Sequence, residues 1–133
     1  MSGALSGFIV IDLTQGLCGP FGSMRLGDAG AVIIKIEPLS GDCARGMGPP
    51  FLDDQSAVFL SLNRNKKSLA LDMRQAVSQD IVRRLVSQAD VLLEDFGPGE
   101  AEKLGLGYND LQKLNPKLVY CAISVFGEEG SLR

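Results

Sequence analysis

The stretch that decides the fold is residues 8–37, FIVIDLTQGLCGPFGSMRLGDAGAVIIKIE. The apolar runs at residues 8–11 and 31–37 predict two buried strands, and the residues between them predict a loop followed by a helix that continues to Ala29. Pro20 suits the first turn of that helix because its missing N–H would have no partner there, and Gly30 suits the helix end. The stretch therefore predicts a β-α-β unit.

The same alternation continues along the chain. Further strands are predicted at residues 68–72, 91–94 and 118–124, helical segments at 77–89, 100–104 and 109–114, a short element at 57–62 and a long loop at 38–55. Continuous Val, Ile and Leu strands between amphipathic helices indicate a parallel sheet with right-handed crossovers. We therefore expect an α/β fold, a Rossmann-like parallel sheet with helices on both faces, in a single domain over residues 1–133.

Composition limits what the chain can do. A net charge of −3 and a pI of about 4.9 argue against nucleic-acid binding, which needs a broad basic surface. There is no apolar run of about 18 residues and no signal region in residues 1–5, so we expect no membrane segment. Three cysteines without a CxxC pair favour a reducing compartment, and the predicted location is cytoplasmic.

The sequence contains no histidine. This excludes Ser-His and Cys-His nucleophile pairs and every metal site that needs an imidazole ligand. We expect no metal, and any catalysis must use carboxylates, lysines or thiols. Cys18 has no histidine to activate it, so its interpretation is a small, partly buried thiol.

Ligands of open α/β sheets bind beyond the carboxyl ends of the strands. Here those ends are residues 12–20, 38–45, 72–74 and 95–99, and we expect them to converge on one rim. The loop at 14–20 offers backbone N–H groups to a phosphate at a helix N-terminus, or is an ordinary strand-to-helix turn. Asp12 and Glu37 end their strands, and either contact a ribose or cap neighbouring loops.

Arg64, Lys66 and Lys67 concentrate positive charge in an acidic chain. Because they precede the predicted strand at 68–72, we expect them at the mouth of the sheet, as a site for a phosphorylated ligand. The alternative is a solvated surface patch.

A series of short motifs follows in order along the chain. The first half has Asp12-Leu-Thr, Cys18-Gly-Pro, Gly30-Ala, Ile34-Lys-Ile-Glu-Pro38, Gly41-Asp, Arg45-Gly, Ser61-Leu-Asn-Arg-Asn-Lys-Lys-Ser-Leu and Leu71-Asp. The second half has Ala89-Asp-Val-Leu-Leu-Glu-Asp-Phe-Gly-Pro-Gly99, Leu104-Gly-Leu-Gly-Tyr108, Leu114-Asn-Pro116 and Ile123-Ser-Val-Phe-Gly127. This series closely resembles the N-terminal part of the CaiB/BaiF family, the family III CoA-transferases, over nearly the whole chain.

The resemblance implies an enzyme that uses coenzyme A, as acyl-CoA, and passes it to a carboxylic acid acceptor. It implies a Rossmann-like domain of a longer protein and a homodimer or other self-association. Carried over residue by residue, the CoA contacts fall on Leu17, Cys18, Pro38, Leu71, Asp72, Met73, Arg74, Asp95, Phe96, Gly97 and Lys103. Arg74 and Lys103 would meet phosphates, and Phe96 would pack against adenine.

The sequence departs from the family pattern at three of these positions. Asp95 stands where members usually carry Asn, Pro38 where Arg is often found, and Leu17 where some formyl-CoA-type members carry Gln. The family's catalytic aspartate, which forms an aspartyl-CoA intermediate, lies downstream of the segment matched by Phe126 and Gly127. No residue of this chain inherits its role, so we expect the chain alone to be inactive.

Three rivals to a CoA-transferase part stay open. One is a fragment of an acyl-CoA racemase, from the related 2-methylacyl-CoA branch. The second is a dinucleotide oxidoreductase, which Glu37 at a strand end favours and the missing glycine fingerprint opposes. The third is a non-catalytic, truncated interaction module, because exposed apolar surface drives association.

Overall fold

The computed structural model describes residues 3–127 and 130–131. Its elements, in chain order, are β1 (Ile9–Asp12), α1 (Cys18–Asp28), β2 (Val32–Glu37), a 3-10 turn (Cys43–Gly46), β3 (Phe51–Leu52), β4 (Gln55–Ser56), α2 (Ala57–Leu62), β5 (Lys66–Ala70), α3 (Ala76–Val86), β6 (Val91–Glu94), α4 (Glu100–Lys103), α5 (Tyr108–Leu114) and β7 (Val119–Ala122). The predicted α/β fold is confirmed, and β6 has the predicted bounds.

Five strands form one parallel sheet in the order β5-β2-β1-β6-β7. The chain first proceeds from β1 outward through β2 to β5, and then returns to place β6 on the other side of β1. This is the Rossmann order of strands, with the reversal between β1 and β6. A crevice at the carboxyl ends of these two strands is therefore expected from topology alone.

Alternate residues of the strands point to opposite faces, and each face has its own apolar cluster. On one face, Ile11 and Leu92 are fully buried together with Val82 and Val86 of α3. On the other face, Val10, Ile33 and Leu93 are buried, with Leu26 of α1 packed against them. Helices thus cover both faces of the sheet, as the sequence predicts.

The predicted bounds of four strands differ from the observed ones, by a single residue for β1 and β2 and by up to two residues for β5 and β7. The strand expected at residues 68–72 is β5, Lys66–Ala70, two residues earlier. Lys66 and Lys67 are therefore its first residues and pair with Ile33 and Ile34. They enter the sheet at its amino end, because the parallel strands all run toward the rim.

The loop predicted at residues 38–55 has more structure than its composition suggests. It contains the 3-10 turn and the β3-β4 hairpin, in which Phe51 pairs with Ser56 and Leu52 with Gln55. Asp53 and Asp54 connect the two strands with φ of 47° and 62°, the conformation of a type I′ turn. Across the residues that the structure describes, no helix is long and apolar enough to cross a membrane.

Candidate functional site

A cavity of about 710 Å³ lies at the carboxyl ends of the strands. Its lining comes from the segments that follow β1, β2, β5 and β6, together with α4: Leu13, Gln15, Ile36, Glu37, Pro38, Leu39, Ser40, Leu71, Asp72, Met73, Arg74, Phe96, Glu100, Lys103 and Leu104. More than half of these side chains are apolar, and polar groups stand among them. This composition is typical of a pocket for an organic ligand with charged substituents.

Two cations border the cavity. Arg74 donates two hydrogen bonds to the carboxylate of Asp72, of 2.8 Å from Nε and 3.0 Å from the terminal nitrogen, and its side chain is 87% exposed. Arg74 lowers the pKa of Asp72 to about 2. Lys103 is exposed and forms no ion pair with any residue that the structure describes. Both cations can therefore turn toward an anion that enters from solvent.

Glu37 forms part of the cavity wall, but its carboxylate is committed to the protein. It accepts two hydrogen bonds from Arg45, of 2.7 and 2.8 Å, one from Ser68 Oγ and one from the backbone N–H of Asp42. Arg45, followed by the hydrogen bonds of Ser68 and Asp42, lowers the pKa of Glu37 to about 2. Both oxygens are occupied, so the structure contradicts a ribose contact and shows the loop-capping role.

The loop after β1 is held by three aspartates from three different segments. The backbone N–H groups of Thr14, Gln15 and Gly16 donate, in order, to Asp12 at 3.0 Å, Asp95 at 2.9 Å and Asp42 at 2.9 Å. A phosphate cannot use donors that carboxylates already hold, and it would be repelled by the charge of Asp95. In this part of the loop at 14–20, the structure therefore favours the ordinary strand-to-helix turn over a phosphate site.

The aspartates of this loop have different environments. Asp42 is buried and lies 2.7 Å from Lys35 Nζ, which also donates to the carbonyl oxygen of Thr14 at 2.7 Å. Asp95 accepts only the hydrogen bond of Gln15 N–H among the described residues. Burial raises the pKa of Asp95, and the nearby charges of Asp12 and Asp42 add to this effect. Asp95 is thus the poorly compensated carboxylate of the group.

The basic cluster is turned into the fold. Lys66 Nζ donates to Asp12 at 3.0 Å, Pro20 O at 2.9 Å and Asn63 Oδ1 at 2.8 Å, which uses all three of its protons, and its side chain is 2% exposed. Arg64 binds Asp28 and the carbonyl oxygen of Ser61. The expectation of an anion site at the mouth of the sheet was wrong for these two side chains, since their donors serve the protein itself. Asp12 is fully buried in this network, so it contacts no ribose.

The structure separates the predicted CoA contacts into two sets. Seven line the cavity: Pro38, Leu71, Asp72, Met73, Arg74, Phe96 and Lys103. Four do not: Leu17, Cys18, Asp95 and Gly97. Cys18 begins α1 and is exposed, so its interpretation as a partly buried thiol was wrong. Whether any of the eleven touches CoA stays a prediction.

Sequence reasoning missed several lining residues. Leu13 and Gln15 follow β1, Leu39 and Ser40 follow Pro38, and Leu104 follows α4. The strand-end rule already pointed to the loops that hold the first four. Leu104 belongs to the motif Leu104-Gly-Leu-Gly-Tyr108, but the motif does not predict that its side chain lines the cavity. In the part of the chain that the structure describes, no group of three Cys, Asp or Glu residues is arranged to hold a metal ion.

The strand order and the cavity beyond the strand ends define a Rossmann-type α/β protein with a ligand site at the carboxyl rim. The sequence model of CoA-transferase family III matches residues 5–133, and the chain belongs to that family.

Named relatives of the family resemble the chain over almost its full length. It is 44% identical over 129 residues to the succinyl-CoA:glutarate CoA-transferase of Mus musculus, a match that covers 96% of this chain and 30% of the relative. It is 45% identical over 131 residues to the acetyl-CoA:oxalate CoA-transferase of Acetobacter aceti, covering 98% and 33%. The chain thus spans about a third of the length of these relatives.

Solved structures agree with this placement. A CaiB/BaiF family protein from Brucella suis superimposes with a TM-score of 0.94 at 40% identity, over 98% of this chain and 36% of that one. A protein from Mycobacterium tuberculosis superimposes with a TM-score of 0.91 at 40% identity, with the same coverage.

Proposed function

We propose that this chain is the CoA-binding part of a CoA-transferase, which moves CoA between an acyl-CoA and a carboxylic acid. The observation that carries the proposal is the cavity at the carboxyl rim, with apolar walls and two available cations. Its volume of about 710 Å³ lies within the usual range for organic ligands. Relatives that share 44% and 45% of the sequence are named as CoA-transferases, which favours transfer over racemisation.

The chemistry of CoA suits the two sides of this cavity. Its adenine and pantetheine portions present apolar surface and planar faces, which Phe96, Leu71 and Met73 can cover. Its phosphates need charge-assisted hydrogen bonds, which Arg74 and Lys103 can donate. Arg74 would exchange its bonds to Asp72 for bonds to phosphate, and the guanidinium plane is suited to bidentate contact.

We place the transfer step on residues other than the carboxylates at this rim. The resemblance to the family implies an aspartyl-CoA intermediate formed on a residue beyond those matched here, and four of the carboxylates at this rim are already held by structural partners. Asp12, Glu37 and Asp42 hold backbone or lysine partners, and Asp72 holds Arg74. We therefore propose that this chain binds CoA and does not transfer it alone.

Calorimetry with CoA and NAD tests the proposal. The chain should bind CoA measurably and NAD much more weakly, because NAD lacks the 3′-phosphate of CoA, which Arg74 or Lys103 can bind. The double variant Arg74→Ala, Lys103→Ala should weaken CoA binding by about 10-fold to 100-fold, as expected for two lost charged contacts.

A matched control removes the same charge elsewhere. Arg25→Ala with Lys113→Ala changes two exposed cations of α1 and α5 that do not line the cavity. Its CoA affinity should stay within about twofold of the wild-type value. Binding of NAD without binding of CoA would overturn the proposal, as would equal losses in the two double variants.

Self-association is a second part of the proposal. The edge strand β7 leaves Val119 60% exposed, and beyond it Val125 and Phe126 are 87% and 62% exposed. Adjacent apolar side chains at a sheet edge favour contact with a second copy of the chain. Size-exclusion chromatography with light scattering should give a mass above 14.2 kDa, and Phe126→Ser should shift it toward the monomer. A monomer at high concentration would contradict this part.

A further inference from the structure

The segment between Glu37 and Asp42 forms one wall of the cavity, and a hydrogen bond joins its two end residues. The carboxylate of Glu37 accepts a hydrogen bond of 2.9 Å from the backbone N–H of Asp42. Gly41 N–H donates to Pro38 O at 2.8 Å, and the φ of +82° at Gly41 makes the tight turn. The outward side of this turn presents Pro38, Leu39 and Ser40 to the cavity.

Arg45 stabilises this wall from the side that faces away from the cavity. Its guanidinium donates to both oxygens of Glu37, at 2.7 and 2.8 Å, while its plane lies over the ring of Phe59, 3.7 Å from the centroid. Glu37 is 2% exposed, so one side of the ion pair is removed from water and the pair is stronger than a surface pair. Arg45 itself is absent from the cavity lining.

A second contact links Arg45 to the turn directly. A Cβ atom added to Gly41 would lie 2.7 Å from Cδ of Arg45 and 3.8 Å from Oε2 of Glu37. The aliphatic part of Arg45 is therefore packed against the turn that its guanidinium secures through Glu37. Movement of Arg45 would remove both of these contacts together and leave the turn with its own backbone bonds and that of Glu37.

From this geometry we infer that Arg45 is a positioning residue for the cofactor: it holds Glu37, and through it the wall of residues 38–41, in the shape that receives CoA. The inference rests on the proposed function of the cavity. Arg45 would act without touching the ligand. By holding the wall in one conformation before the ligand arrives, it reduces the conformational entropy that is lost on binding.

The test compares Arg45→Lys with Arg64→Lys. Arg64 makes a similar two-pronged ion pair, with Asp28, on the exposed surface away from the cavity, so it is a matched control. Lysine keeps the charge but loses the bidentate geometry and the planar contact with Phe59. We expect Arg45→Lys to weaken CoA binding about fivefold to tenfold by calorimetry, and Arg64→Lys to leave it within about twofold.

Amide hydrogen exchange supplies a local readout. In Arg45→Lys the N–H groups of Gly41 and Asp42 should exchange faster than in wild type, and saturating CoA should restore much of the protection. In Arg64→Lys these two amides should be unchanged.

The outcomes separate the two proposals. If the wild-type chain does not bind CoA, the proposed function fails. If it binds and Arg45→Lys binds equally well, or if both variants weaken binding equally, the positioning role is wrong. Faster exchange at Gly41 and Asp42 with unchanged affinity also overturns it, because the wall would then be loosened without consequence for the ligand.

Discussion

The carboxylate of Asp95 accepts a hydrogen bond of 2.9 Å from the backbone N–H of Gln15, and this bond joins the loop after β6 to the loop after β1. It lies at the point where the strand order reverses. The bond needs only a carbonyl-type oxygen, whereas the charge on Asp95 is poorly compensated, because burial and two nearby aspartates raise its pKa.

Asp95→Asn should therefore stabilise the protein at pH 7. The amide oxygen keeps the bond to Gln15, and the buried charge is removed. Because the folded pKa of Asp95 lies above its ordinary value of 3.8, the ionised group destabilises the fold at higher pH. The gain in melting temperature should thus be largest near pH 7 and disappear as the pH falls through the raised pKa to below 3.8. Asp110→Asn, at an exposed position, is the control; a lower melting temperature for Asp95→Asn at pH 7 would refute the argument.

Lys66→Met should destabilise the protein by about 3–5 kcal/mol, because it leaves the buried carboxylate of Asp12 without its cation. The neighbouring change Lys67→Met, at an exposed position, should alter the free energy of unfolding by less than about 0.5 kcal/mol. Urea denaturation measures both. Adding Asp12→Asn to Lys66→Met should recover part of the loss. Equal effects of the two lysine changes would show that Lys66 is solvated.

Gly19→Ala should be destabilising, whereas Gly22→Ala should not, although both glycines lie in α1. A Cβ atom at Gly19 would lie 2.2 Å from Cβ of Thr14, and Thr14 is itself held by Asp12. The overlap should cost about 1–3 kcal/mol. At Gly22 nothing lies within 4 Å, and alanine should stabilise the helix by about 0.5–1 kcal/mol. Thermal unfolding of the two variants is the measurement, and the same sign in both would contradict the prediction.

Arg45→Ala should reduce stability at pH 7 and make acid unfolding less steep. The pKa of Glu37 is about 2 in the folded protein against an ordinary value of 4.5, so its contribution to stability is present above pH 4.5 and is lost as the pH falls toward 2. The shift corresponds to about 3 kcal/mol, of which Ser68 and Asp42 keep their part in the variant, and solvent screening of the 42% exposed Arg45 reduces its share to about 1–2 kcal/mol. Urea denaturation between pH 7 and pH 3 should show the difference from wild type shrinking below pH 4.5. Arg84→Ala should show a difference that does not change with pH.

The apolar strands could be predicted because Val, Ile and Leu side chains are stable only when they are buried. Residues 91–94 form β6 as predicted, since Leu92 and Leu93 have no stable place except the interior. The start of β5 could not be predicted in the same way. From the sequence alone, Lys66 is typical of a solvent-exposed loop. It can be buried in a strand because Asp12, Pro20 and Asn63 accept hydrogen bonds from its ammonium group, and Asp12 and Pro20 are distant in sequence.

The rim followed from strand ends, but the role of each rim residue did not. A strand-end rule places Asp12, Asp42 and Asp95 near the ligand; the structure instead bonds each of them to the backbone of residues 14–16. Such bonds depend on the tertiary arrangement of three separate loops, which no local sequence pattern predicts. Arg45 is part of the Arg45-Gly motif, but its role could not be predicted for the same reason, since that role depends on the distance to Glu37.

Asp95, the poorly compensated carboxylate beside residues 14–16, makes the two sides of the cavity electrostatically different. Gln15, which Asp95 holds, lines one part of the cavity wall, while Arg74 and Lys103 line another. We therefore expect a long polyanion such as CoA to place its nucleotide toward the cations and its uncharged thiol arm along the crevice between β1 and β6. We expect pantetheine to perturb the NMR signals of Gln15, and adenosine 3′,5′-bisphosphate to perturb those of Arg74.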